Sequence, residues 1–206
     1  MPVDLWLAFA AASAVLLVLP GPTILLVLSY ALSQGRRVAV AMALGVALGD
    51  LIAMTASLAG LGALVLASAT LFTALKWIGA AYLVWLGIRL FRSPPVLAEE
   101  IAPAPRPARA VFGHAALVTA LNPKSIAFFI AFVPQFLRPE APLAPQFAVL
   151  IATFVSLAAL NALAYALLAD RLRAQIRRAA VLRRMTRAGG GALIGMGALT
   201  ASAARS

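Results

Sequence analysis

Leu19-Pro20-Gly21-Pro22-Thr23 and Leu121-Asn122-Pro123-Lys124-Ser125 each interrupt a long apolar stretch near its middle. Each stretch is long enough to span a bilayer, which takes about 20 apolar residues as a helix. Proline removes a backbone donor and clashes with the preceding turn, so a helix bends or unwinds at both sites. Lipid cannot satisfy the freed carbonyls, so each break must face protein or a water-filled cavity. Two breaks at corresponding places in two halves of a membrane protein point to a transport site.

The surrounding composition agrees with a membrane setting. The chain has 206 residues, of which 64% are hydrophobic, and a mean hydropathy of +1.00. Ordinary soluble domains are roughly 45–50% apolar. There is no cysteine, which removes disulfides, thiolate redox chemistry and thiolate metal sites. A net charge of +11 also suits nucleic-acid binding. In so apolar a chain it reads as topology, since Lys and Arg collect in cytoplasmic loops. The first apolar run begins almost at Met1 and is longer than a signal h-region. Asp4 also has the wrong charge for an n-region, so no cleavable signal peptide is expected.

Six spans are predicted, at about 4–30, 39–66, 70–90, 112–137, 145–169 and 188–204. The stretch from Arg92 to Arg109 holds five prolines with Glu99 and Glu100 between them and reads as an extended linker. The Arg-rich stretch from Asp170 to Arg187 separates the last two spans, and Leu172–Met185 within it suits a basic amphipathic helix on anionic lipid. The last span is short and glycine-rich. Basic residues gather in the loops after spans one, three and five. The opposite side has only Lys76, Arg138 and Arg205. The positive-inside rule then places both termini outside the cytoplasm.

A repeat crosses the linker. Gly79-x3-Leu83-x3-Gly87 matches Gly189-x3-Leu193-x3-Gly197, the two breaks occupy similar offsets, and Asp50 corresponds to Asn161. Three spans per half require the second half to insert upside down. The expected fold is therefore all-α and polytopic, with six transmembrane helices as two inverted three-helix repeats, 1–91 and 112–206, joined by a cytoplasmic linker at 92–111.

Charged residues at membrane depth are expensive and mark ion or substrate paths. Asp50 lies mid-span and is the candidate proton carrier or partner for a substrate ammonium. A carboxylate locked to a neighbour for packing is the plainer reading. Lys124 lies about 18 Å from either interface at 1.5 Å per residue, too far to snorkel easily. It needs a carboxylate, freed carbonyls or an anionic substrate group. Depth alone suggests Asp50 as its partner. Asn122 and Asn161 are either ligand contacts or interhelical hydrogen bonds. Pro20, Gly21 and Pro22 open backbone groups and a half-helix terminus, and half-helix N-termini favour carboxylates. An amino acid, with both a carboxylate and an ammonium, suits this chemistry.

Other features read more plainly. Ala41, Gly45 and Gly49, and also Gly191 and Gly195, are small-residue stripes for close helix packing that would also serve a homodimer. The glycine run at 189–191 is no dinucleotide fingerprint, because no strand precedes it. Trp6, Tyr30 and Trp77 sit near span ends, as aromatic belts do. His114 stands alone and reads as structural.

At these residues the chain resembles the lysine/homoserine exporter family, the LysE/RhtB type. The resemblance rests on Leu19-Pro20-Gly21-Pro22, on Gly45-x3-Gly49-Asp50, on Lys76-x2-Gly79-x2-Tyr82-Leu83-x2-Leu86-Gly87, and on Leu121-Asn122-Pro123-Lys124 before a Phe-rich run. It covers nearly the whole chain, and the last third matches mainly by pattern. It implies a bacterial inner-membrane exporter of amino acids or related zwitterions, driven by the proton or ion gradient. The family's functional positions would fall on Pro20, Gly21, Pro22, Asp50, Asn122, Pro123 and Lys124. No cofactor is implied. The alternatives are a small inorganic-ion or metal exporter, disfavoured by a single deep carboxylate without Cys or His clusters, and a membrane-embedded enzyme, which would need more mid-membrane titratable groups.

Overall fold

The computed structural model describes residues 1–19, 21–67, 69–93, 104–138, 141–176 and 179–203. Pro20 and most of the expected linker, 94–103, lie outside them. The described residues are helical almost throughout, in the order α1 (Val3–Val18), α2 (Pro22–Gln34), α3 (Ala39–Ala67), α4 (Ala69–Arg92), α5 (Ala108–Ala120), α6 (Pro123–Ala131), α7 (Leu143–Ile176) and α8 (Ala179–Ala203). Short 3-10 turns join α2 to α3 (Gly35–Val38) and follow α6 (Val133–Phe136).

Both expected breaks are present. α1 ends at Val18, and α2 restarts with Gly21 as its N-cap and Pro22 at its first position. α5 ends at Ala120, and α6 restarts with Asn122 as N-cap and Pro123 behind it. Proline suits that place because the missing N–H would have no helical partner there. α5 and α6 meet at an angle of 45°. After α2 the chain turns through Gly35, whose φ of 69° is left-handed and favours glycine.

By length and apolar composition, Pro22–Ala63 and Leu143–Ala169 suffice to cross a membrane, and the bent α5–α6 pair makes a third. Val3–Val18 is apolar but shorter. The predicted boundaries between spans five and six need correction. The arginine-rich stretch is helical where it is described, since α7 runs to Ile176 and α8 starts at Ala179, so the helix expected over Leu172–Met185 falls on the end of one long helix and the start of the next. Alanine, leucine and arginine are strong helix formers, and no proline interrupts them.

The core is one cluster that includes Phe9, Leu16, Tyr30, Met54, Leu83, Phe128, Phe129, Phe154 and Leu193. α4 packs along α8, and α3 packs along both α5 and α7. Glycines permit the closest of these approaches. A Cβ on Gly49 would lie 2.5 Å from the Ala116 carbonyl oxygen, and one on Gly87 2.6 Å from that of Gly190. The stripe through Gly45 and Gly49 is thus consumed inside the chain, against α5. Gly191 and Gly195 have open space where a Cβ would go. Tyr30 is fully buried rather than part of an aromatic belt, because its hydroxyl lies 2.9 Å from His114 Nδ1. Trp6 and Trp77 are more than one third exposed.

Candidate functional site

A helix leaves its last four carbonyls without intrahelical donors. At the end of α1 these belong to Leu16, Leu17, Val18 and Leu19, in a place where lipid offers no hydrogen bond. All four are met by side chains of the second half. Lys124 Nζ donates to Leu16 O and to Leu19 O, each at 3.0 Å. Asn161 Nδ2 donates to Leu17 O at 3.0 Å, and the Tyr165 hydroxyl to Val18 O at 2.9 Å. The lysine charge also faces the negative end of the α1 dipole, which favours it.

This arrangement corrects the expected partnership of Lys124. Its ammonium makes no ion-pair contact with Asp50 and instead holds backbone carbonyls. Asp50 is 2% exposed, and its Oδ1 has no hydrogen-bond partner among the described residues. The two charges still share a small enclosed cavity with Thr23, Asn122, Ser125 and Asn161. Its volume is about 20 Å³, and a water needs about 10–15 Å³ on this measure. The space therefore admits one water and no amino acid in this arrangement.

Asn122 bonds to the protein through both of its amide heavy atoms. Its Oδ1 accepts from the Lys124 backbone N–H at 3.0 Å, capping α6, and its Nδ2 donates to Thr23 Oγ1 at 3.1 Å. Thr23 Oγ1 also lies 3.4 Å from Thr119 Oγ1. The first turns of α2 and α6 are thereby tied together. Gly21 lies directly against the lysine, and a Cβ there would sit 3.2 Å from Lys124 Nζ.

A larger cavity of about 160 Å³ opens on the other side of the same residues. Its lining comprises Gly21 and Pro22, Asn122, Pro123 and Lys124, together with Leu86, Arg89, Leu90, Ser93 and Leu193. Both half-helix starts thus reach one space, with Lys124 and Asn122 forming the wall between it and the Asp50 cavity. Arg89 in this lining also stacks on Trp85, with its guanidinium carbon 5.4 Å from the ring centroid.

Seven of the eight expected site residues lie in this region, and Pro20 lies outside the described ones. Sequence reasoning missed Thr23, Thr119, Ser125, Tyr165 and Arg89. Thr23 and Ser125 close the two quoted stretches and were legible from position. Tyr165 sits one helical turn after Asn161, on the same face of α7, a signal that the four-residue spacing carries. Arg89 is one of the basic residues gathered after span three, which in the sequence carry only a topological signal. No group of three or more His, Cys, Asp or Glu side chains suited to a metal occurs among the described residues.

Residues 14–203 match the LysE type translocator family. The chain belongs to that family. LysE type translocators are membrane transporters and not enzymes. This one is 36% identical over 203 residues to an uncharacterised membrane protein of Vibrio cholerae, covering 98% of this chain and 99% of that protein. It is 33% identical over 203 residues to the homoserine/homoserine lactone efflux protein of Salmonella typhimurium, covering 98% of both. Identity to the leucine efflux protein of Klebsiella pneumoniae is 28% over 137 residues, covering 66% of this chain and 65% of that protein. No solved structure matches this LysE type translocator.

Proposed function

We propose that this translocator is a secondary exporter of amino acids or related small zwitterions, coupled to the proton or another ion gradient of a bacterial inner membrane. The observation that carries the reading is the meeting of both half-helix starts, at Gly21–Pro22 and Asn122–Pro123, in one cavity walled by the buried Lys124. The positive dipole ends of the two half-helices there suit a carboxylate. Asp50, behind the wall, suits an ammonium or a proton. The named activities of the Salmonella and Klebsiella relatives agree with such a substrate class.

The reading includes six spans as two inverted repeats, 1–91 and 112–206, with both termini outside the cytoplasm. Several pairings support it. Gly79, Leu83 and Gly87 lie on α4, and their counterparts Gly189, Leu193 and Gly197 lie on α8, the two helices that pack along each other. Asp50 and Asn161 line the same small cavity. The two broken helices each start a half, and each break is capped and restarted by proline.

Export is tested with the purified chain in proteoliposomes loaded with single amino acids. Saturable efflux that collapses with the imposed gradient is expected. Gradient-independent, unsaturable leakage would identify a channel instead. Compartment-sensitive fusions at each terminus test the topology, and a cytoplasmic C-terminus would refute it.

A further inference from the structure

We propose that substrate leaves between α1 and α6, through a wall of Phe9, Phe128, Phe132 and Phe136 that acts as the outer gate, with Ser13 as a polar contact inside it. The proposal rests on the exporter reading above. Lys124, Phe128, Phe132 and Phe136 follow one another at four-residue intervals, so they form one stripe along α6 and the turn after it. The stripe starts at the site and ends at a second cavity. That cavity, of about 590 Å³, is lined by Phe132 and Phe136 with Ala8, Ala12, Leu199 and Ser202.

Opposite the stripe, Phe9, Ser13 and Leu16 share one face of α1, and all three are fully buried. Leu16 is also the residue whose carbonyl holds Lys124. Two facing stripes therefore lead from the site to the second cavity. Phe9 closes the space between them, its ring centroid 5.4 Å from that of Phe136 and 6.4 Å from that of Phe128. Phe132 stands 5.3 Å from each of Phe128 and Phe136. Arg89 lines the site cavity, and these four rings pack together along the line from Lys124 to the second cavity.

Ser13 is the anomaly in that wall. Its hydroxyl has no hydrogen-bond partner among the described residues, although a helical serine can donate to the carbonyl one turn back. A buried hydroxyl left unpaired is unfavourable, and alanine would pack the same volume without that cost. A polar zwitterion moving past the rings would supply the missing partner.

The absence of cysteine makes the test direct. Ser13→Cys and Ser202→Cys are placed singly in the full chain, with and without Phe132→Ala, and exposed to a water-soluble maleimide in detergent. Ser202→Cys should label at the same rate in both backgrounds. Ser13→Cys should label slowly alone and about tenfold faster with Phe132→Ala, as a locally opened wall predicts. Equal rates at Ser13 in both backgrounds would overturn the gate. In proteoliposomes, labelled Ser13→Cys should lose amino-acid efflux, and retained efflux would overturn the exit route. If the unmodified chain exports no amino acid, the exporter reading fails, while the maleimide rates still decide the gate.

Discussion

Lys124 and Leu19 join the two helix breaks directly: the lysine ammonium, in the first turn of α6, donates at 3.0 Å to the carbonyl that follows α1. The same ammonium takes Leu16 O. A cation from one half therefore completes the hydrogen bonding of the broken helix in the other. Release of either carbonyl would free the charge for a substrate carboxylate in the neighbouring cavity.

Lys124→Met should orphan both carbonyls. Each buried acceptor left unpaired costs about 1–3 kcal/mol, so the melting temperature in detergent should fall clearly and efflux should vanish. Lys124→Arg keeps donors and charge and should recover most of the stability. Equal melting of Lys124→Met and the parent would show that the carbonyls have other donors.

Asp50→Asn separates function from packing. Breaking a buried ion pair by removing one partner costs about 3–5 kcal/mol. The Lys124 ammonium is held by the Leu16 and Leu19 carbonyls, and Asp50 Oδ1 has no donor among the described residues. The Asn variant should therefore melt at or above the parent temperature while losing coupled efflux. A large drop in stability would restore the ion-pair view.

Tyr165→Phe deletes one interhelical bond, from the hydroxyl to Val18 O. Such bonds in membranes average about 0.6 kcal/mol. A small drop in melting temperature is expected, well below that of Lys124→Met, with efflux reduced but present.

Gly49→Ala should be far worse than Gly191→Ala. The new methyl at 49 meets the Ala116 carbonyl at 2.5 Å, whereas at 191 it meets nothing within 4 Å. Overpacking a tight contact costs roughly 1–3 kcal/mol. Purification yield and melting temperature read the difference. Similar behaviour of the two variants would mean that α3 and α5 are not held as closely as described.

The breaks were legible because proline acts locally: its ring and missing donor end a helix whatever surrounds it. The depth of Asp50 and Lys124 followed from counting residues inward from the charged ends of an apolar run. The same counting paired Lys124 with Asp50 by depth and could not point to Leu16 and Leu19, because they lie 108 and 105 residues away and backbone carbonyls carry no sequence signature. The small-residue stripes were legible as stripes. Whether a stripe faces a neighbour in the chain, as at Gly45 and Gly49, or open space, as at Gly191 and Gly195, depends on helix rotation.

By itself the sequence determined where this chain is apolar, where its helices break, where its positive charge gathers and which family it belongs to. These are properties of single residues and short motifs. The tertiary structure alone decided which freed carbonyl meets which donor, that Lys124 binds backbone rather than Asp50, and that four phenylalanines stand between the site and the second cavity. Those outcomes depend on contacts between distant segments, set by how helices pack and rotate against one another.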